Sequence, residues 1–155
     1  MKIYIDSREQ KRLEFSPKDE HVTNVIVCKL DVGDYMVQFE DGFTPPIVFE
    51  RKSMGDLFGT MGKGYTRFKK EIIRAQESNT TMFIAIEGDY SKVKKGIKHS
   101  KMPGMAIIRK LFTIWERYGV QPIFFKDRKE MKEYMLQFWI GLGKGHLRRK
   151  SLNGK

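Results

Sequence analysis

The chain of 155 residues has one cysteine, Cys28, and three histidines. A lone thiol excludes an internal disulfide and a multi-cysteine zinc centre, and it agrees with a reducing, intracellular compartment. His21, His99 and His146 lack metal-ligand spacing. Long apolar runs are missing too. The longest is Met82-Phe83-Ile84-Ala85-Ile86, far short of the roughly 20 residues that cross a bilayer. The N-terminus, Met1-Lys2-Ile3-Tyr4-Ile5-Asp6, turns polar before a signal-peptide core could form. Neither Gly59-Thr60-Met61-Gly62-Lys63 nor Gly141-Leu142-Gly143-Lys144-Gly145 completes a P-loop, which requires Gly-x4-Gly-Lys-Ser/Thr. No repeat is visible.

Acidic residues are scarce in one half only. Lys and Arg total 30 against 19 Asp and Glu, a net charge of +11. Residues 1–77 carry 13 basic and 13 acidic side chains, whereas residues 78–155 carry 17 and 6. Two segments without any acid hold most of the excess: Ser91 to Lys101, with Lys92, Lys94, Lys95, Lys98 and Lys101, and Gly141 to Lys155, with Lys144, Arg148, Arg149, Lys150 and Lys155. Such an excess favours a polyanionic partner, nucleic acid above all. The alternative is a solvated loop and tail that only aid solubility. Neither segment has the bulky apolar face of a membrane-surface helix. With 40% hydrophobic and 12% aromatic residues, the chain suffices for one domain with a core. It divides into a domain over residues 1–140 and a basic tail over 141–155.

The hydrophobic pattern predicts strands over Lys2–Ile5, Asn24–Val27, Tyr35–Phe39, Ile47–Phe49, Met82–Ile86 and Val120–Phe125. Capping-box patterns at Ser53-x-x-Asp56 and Asp127-x-x-Glu130 open helices. The first is broken at Gly62, and the second is continued by Met131, Tyr134, Met135 and Phe138 to about Ile140. Tyr65, Phe68, Ile72 and Ala75 mark another helix face, as do Met105, Ile108, Leu111, Phe112, Trp115 and Tyr118. Strands first, then helix and strand in alternation, predict an α/β fold with a mixed sheet flanked by helices.

The chemistry lies in the electrically neutral half. Asp41-Gly42 is a hairpin turn signal, and positions 34 and 50 are symmetric about Gly42. In that register Asp34 lies opposite Glu50. Glu50 and Lys52 share a strand face while Arg51 points to the other. Two carboxylates and an ammonium at strand ends suit metal-dependent phosphodiester cleavage. Hard oxygen donors hold Mg²⁺ or Mn²⁺, and the lysine orients water or stabilises developing charge. The alternative is an ordinary surface Glu–Lys pair.

Gly33-Asp34, fifteen residues, then Glu50-Arg51-Lys52-Ser53-Met54-Gly55-Asp56 resembles the GD-xn-ERK-x3-D signature of the XPF-type nucleases. Asp6-Ser7-Arg8-Glu9 is similar to their first-strand Asp-x-Arg-Glu motif, and Ile84-Ala85-Ile86-Glu87 resembles a further family segment. The resemblance spans about residues 2 to 140. It implies a restriction-endonuclease-like, PD-(D/E)xK nuclease fold, with Asp34 and Glu50 as metal-binding carboxylates, Lys52 as the catalytic lysine and the Arg51 carbonyl as a further ligand. Asp6 would be a ligand directly or through water; its alternative is a strand-end turn former. Arg8 and Glu9 either support the site or pair with each other. Asp56 belongs to a capping box and ranks below Asp34 and Glu50. Arg67, with Tyr65 and Lys63 beside it, is the expected phosphate contact, and Tyr65 is equally a core candidate. The basic loop and tail would contact duplex. The resemblance leads to the expectation of a compact form without a helix-hairpin-helix domain, similar to the nucleases of phages and other mobile elements. The expected activity is that of an endonuclease on branched DNA (flaps, forks or junctions) serving repair, recombination or replication. The expected setting is a homodimer with no membrane, in the cytoplasm of a bacterial or phage-infected cell or otherwise inside the cell with DNA. The alternative is a non-catalytic DNA-binding or dimerisation subunit.

Overall fold

The computed structural model describes residues 1–154; Lys155, the end of the expected tail, lies outside them. Six strands form one mixed sheet: β1 (Lys2–Asp6), β2 (Asn24–Cys28), β3 (Tyr35–Gln38), β4 (Ile47–Lys52), β5 (Thr81–Ile86) and β6 (Gln121–Phe124). Their order across the sheet is β2-β1-β3-β4-β5-β6. β1 runs parallel to β2 and antiparallel to β3, β3 is antiparallel to β4, and β4, β5 and β6 are mutually parallel. The helices are α1 (Met54–Met61), α2 (Tyr65–Glu77), α3 (Tyr90–Lys95), α4 (Gly104–Tyr118) and α5 (Arg128–Asn153).

Side chains alternate across a strand, and here the alternation divides two cores. Val48, Met82, Ile84 and Ile86 face a cluster with Leu57, Phe58, Phe68, Ile72, Ile107 and Leu111, supplied by α1, α2 and α4. Phe49 and Ala85 face the opposite cluster with Ile3, Tyr35, Met131, Met135 and Trp139, supplied mainly by β1, β3 and α5. Continuing that parity along β4 sends Glu50 and Lys52 to the α1–α2 face and Arg51 to the α5 face.

Two expectations about the basic segments are corrected, the second in part. The helix expected to stop near Ile140 runs unbroken to Asn153, so residues 141–153 are helical and not a tail. Packing overrides the poor helix propensity of Gly141, Gly143 and Gly145. The Phe39 ring packs closely on Gly143, where a Cβ would lie 3.3 Å from it, and His146 stacks on Phe43 with ring centroids 4.2 Å apart. His146 Nε2 and Lys150 Nζ both reach Asp41 Oδ2, at 2.7 and 3.2 Å. Only the first part of the Ser91–Lys101 segment is helical, within α3, whose Asp89 cap accepts from the Lys92 amide at 2.8 Å and whose Val93 is fully buried; residues 96–101 are a loop as expected. α3 leaves β5 beside Lys52, because the Glu87 amide donates to the Lys52 carbonyl at 2.9 Å. The two basic clusters therefore occupy different places: α3 at the end of the sheet where β4 stops, and the C-terminal half of α5 at the tip of the β3–β4 hairpin. No described helix is long and apolar enough to cross a membrane.

Candidate active site

β3 and β4 pair through Tyr35 and Phe49, a register symmetric about Gly42, and Asp34, just before β3, lies close enough to Glu50 for the two charges to interact. Gly33 makes the entry to β3 possible. Its φ is +74°, and a Cβ there would sit 2.7 Å from Val48 Cβ. The Asp34 amide donates to the Phe49 carbonyl, and the Arg51 amide donates to Asp34 Oδ2, both at 2.8 Å. The carboxylate is thus fixed by the strand that carries Glu50.

Glu50 is 6% exposed. Its Oε1 lies 3.1 Å from Lys52 Nζ, while its buried Oε2 has no partner. Lys52 Nζ also lies 5.1 Å above the Phe68 ring. Burial and the nearby Glu50 and Glu9 charges push the Asp34 carboxyl up to about 9, against partial relief from the Arg51 amide and Lys52. Burial, with Glu71 and Glu9, pushes Glu50 up to about 7 despite Lys52. Burial works against the Lys52 charge, yet Glu50, Asp34 and Glu71 hold its pKa above the ordinary lysine value. Two carboxyls that resist ionising side by side, one with an orphaned oxygen, form a site short of positive charge.

A cleft of about 530 Å³ opens here, lined by Glu50, Lys52, Asp6, Arg8, Asp56, Arg67, Glu71 and Arg74 together with α1 backbone at Gly55, Gly59 and Thr60. Asp6 is 3% exposed and fully engaged: Oδ2 accepts from Arg8 Nε and Oδ1 from the Leu30 amide, both at 2.9 Å. Asp56 sits in the first turn of α1, where its amide donates to the Ser53 hydroxyl at 3.2 Å, and it also lines the cleft. Arg67 is exposed at the cleft. Tyr65 is not brought there: it packs against the core, with Lys110 Nζ 3.8 Å above its ring. Lys63 is exposed in the α1–α2 turn.

Arg8 and Glu9 do not pair with each other. Arg8 serves Asp6 and the Leu30 carbonyl, whereas Glu9 grips Arg51 through two bonds, 2.7 Å to Nε and 2.6 Å to Nη2. Arg51 Nη1 reaches Glu87 Oε1 at 2.7 Å, and Arg128 at the start of α5 closes on the same oxygen. Arg128 also donates to the carbonyls of Lys11 and Arg12, at 2.8 and 3.0 Å. This buried network clamps the back of β4 directly behind the cleft. On α5, Met131, Met135 and Trp139 are buried in the core, and Tyr134 remains 40% exposed.

Glu71 and Arg74 also line the cleft, beyond the residues expected there from the sequence. Arg67, Glu71 and Arg74 follow i, i+4, i+7 spacing on α2, a stripe beside the apolar one marked by Phe68, Ile72 and Ala75. That spacing was the available signal.

The residues fit a divalent cation that keeps its waters. Glu50 Oε2 is an unpaired hard donor, Asp34 lies beside it, and among the described residues no three acidic or histidine side chains converge closely enough to enclose a bare ion.

The ERCC4 domain model matches residues 5–138. XPF from Aeropyrum pernix is similar in fold, at 22% identity and TM-score 0.65 over 88% of this chain and 62% of that one. XPF from Aeropyrum pernix in complex with DNA matches at 21% identity and TM-score 0.69, over 93% of this chain and 65% of that one. The chain thus spans under two thirds of each of these structures. A comparison with curated protein sequences gave no match. The mixed six-stranded sheet with flanking helices is restriction-endonuclease-like, the fold it shares with these XPF structures, and the chain belongs to the ERCC4-domain family.

Proposed function

We propose that this chain is a Mg²⁺- or Mn²⁺-dependent DNA endonuclease that hydrolyses phosphodiesters in branched DNA such as flaps, forks or junctions. The observation that carries this reading is the Glu50 carboxylate, buried at the cleft, with Oε2 unpaired beside Asp34 and the Lys52 ammonium. Asp34 and Glu50 would hold the cation, with Asp6 acting through water because both its oxygens are engaged. When bound, the cation supplies a low-pKa water and offsets charge on the phosphate. Lys52 keeps its proton and directs a positive charge toward the phosphate oxygens, the placement that favours a transition state richer in negative charge than the substrate. Arg67, on the cleft wall, takes an adjacent phosphate. The Arg51 clamp holds β4, and so the spacing of Glu50 and Lys52, fixed.

The test is cleavage of end-labelled flap, fork and four-way-junction DNA with Mg²⁺ or Mn²⁺. Wild type is expected to cut at least one of them, and Glu50→Gln to lose about 100-fold or more in rate. Inactivity of wild type on every substrate with both metals, or full activity of Glu50→Gln, sinks the proposal. It includes a homodimer, supported by the exposed aromatics Phe112 and Trp115 of α4 and Tyr134 of α5. Sedimentation at assay concentrations is expected to give twice the mass of one chain, and a monomer would remove that part.

A further inference from the structure

A second negative charge faces the cleft from α2. Glu71 is half-buried, lines the same cavity as Glu50 and Lys52, and forms no ion pair among the described residues, although Arg67 and Arg74 flank it on its own helix face. It is close enough for its charge to act on Glu50, Lys52 and Arg8. A solvated Glu–Arg pair at i, i+4 would give such a residue a mundane role, but no such pair forms. Glu50 lines the same cleft, and its side chain, more than nine-tenths buried, leaves Oε2 without a partner. Acids from α2 and β4 with unsatisfied charge between them define a place for a cation and its waters.

We infer that Glu71 is a positioning residue for this centre, accepting hydrogen bonds from water on a divalent cation held by Asp34 and Glu50. The carboxylates do not converge on one point, so Glu71 acts at one remove from the ion. Cations such as Mg²⁺ keep several waters, and groups that bind those waters set affinity. The same charge has a second consequence. Without a cation, Glu71 repels phosphate from a cleft whose cationic groups, Lys52, Arg67, Arg74 and the Asp6-bound Arg8, would otherwise attract it. Glu71 thereby couples the two ligands, so that DNA enters the cleft favourably once the metal is present.

The inference rests on the metal-nuclease reading, and its test separates the two. Mn²⁺ binding to the protein without DNA is followed by electron paramagnetic resonance for wild type, Glu71→Gln and Glu50→Gln. DNA binding is measured in EDTA for the same proteins, with circular dichroism to confirm folding. Glu71→Gln is expected to weaken Mn²⁺ binding about 10-fold and to tighten metal-free DNA binding several-fold. A merely structural role would not produce opposite signs. Wild-type Mn²⁺ affinity in Glu71→Gln, while Glu50→Gln loses binding, overturns the role of Glu71 and leaves the nuclease reading standing. Unchanged Mn²⁺ binding in both variants overturns the metal centre itself. Weaker Mn²⁺ binding with unchanged or weaker metal-free DNA binding overturns the coupling.

Discussion

At the scale of single residues, the cleft holds charge that the fold alone does not neutralise. Burial and the Glu50 charge lift the Asp34 carboxyl to about 9, and burial with the Glu71 and Glu9 charges lifts Glu50 to about 7. Their unfolded values lie near the ordinary carboxylate range, about 4. Between these limits the folded chain binds more protons than the unfolded one, so stability is fully present below about pH 4 and is lost as pH rises through 7 and 9. The loss is at most about 1.4 kcal/mol per pH unit for each group. We therefore expect the metal-free melting temperature to fall from about pH 5 to about pH 9, and Asp34→Asn to blunt the fall. Divalent cation should raise the melting temperature more at the alkaline end, because it binds the ionised pair. Thermal melts in EDTA and in Mg²⁺ check this. A metal-free melting temperature that rises with pH across that range would refute the pair's assignment.

At the scale of elements, legibility depended on whether a local rule carried the information. The Tyr35–Phe49 pairing agrees with the register read from Asp41-Gly42, although the turn closes from Phe39 to Phe43 and the Asp34 amide bonds to the Phe49 carbonyl, so the register is not carried unbroken from the turn to Asp34. Ser53 and Asp127 announced α1 and α5 through side chains that accept from amides three residues on. The C-terminal half of α5 was hidden because its three glycines argue against a helix locally. What holds it is a hairpin tip about a hundred residues away in sequence, through Phe39, Phe43 and Asp41. α3 was hidden because Val93 is its only buried side chain amid lysines. Its docking depends on Gly104, where a Cβ would lie 2.1 Å from the Val93 carbonyl oxygen. Asp6 and Arg8 pair within one short motif, but Glu9 reaches Arg51 on β4, 42 positions along the chain, so no local spacing could show that pair. Glu71 sits in a polar stripe of α2 with Arg67 and Arg74, and a charged helix face of that spacing is the same in sequence whether it meets solvent or a cleft.

At the scale of the whole molecule, the net charge of +11 is not one surface. α3 leaves the sheet beside Lys52, and Met102, in the turn after α3, packs near Gly62 at the end of α1. Lys92, Lys94, Lys95, Lys98 and Lys101 are exposed around that end. Lys144, Arg148, Arg149 and Lys150 belong to the half of α5 that packs on the hairpin tip. Seven residues separate Asp34 from Asp41, roughly 20 Å along a strand, which exceeds the Debye length of about 8 Å in physiological salt. The field of the α5 cluster therefore adds little at the cleft, and DNA bound there for cleavage meets the α3 lysines first. Replacing Lys92, Lys94 and Lys95 with Gln should reduce the salt dependence of DNA binding by about 0.9 in log–log slope for each phosphate contact removed. Replacing Lys144, Arg148 and Arg149 should change the slope less on a short substrate that only fills the cleft, and more as the duplex is lengthened toward the hairpin tip. Fluorescence anisotropy across a salt series with short and long duplexes distinguishes these outcomes. If the α5 set dominates the slope on the short substrate, the DNA path runs along the hairpin and not past α3.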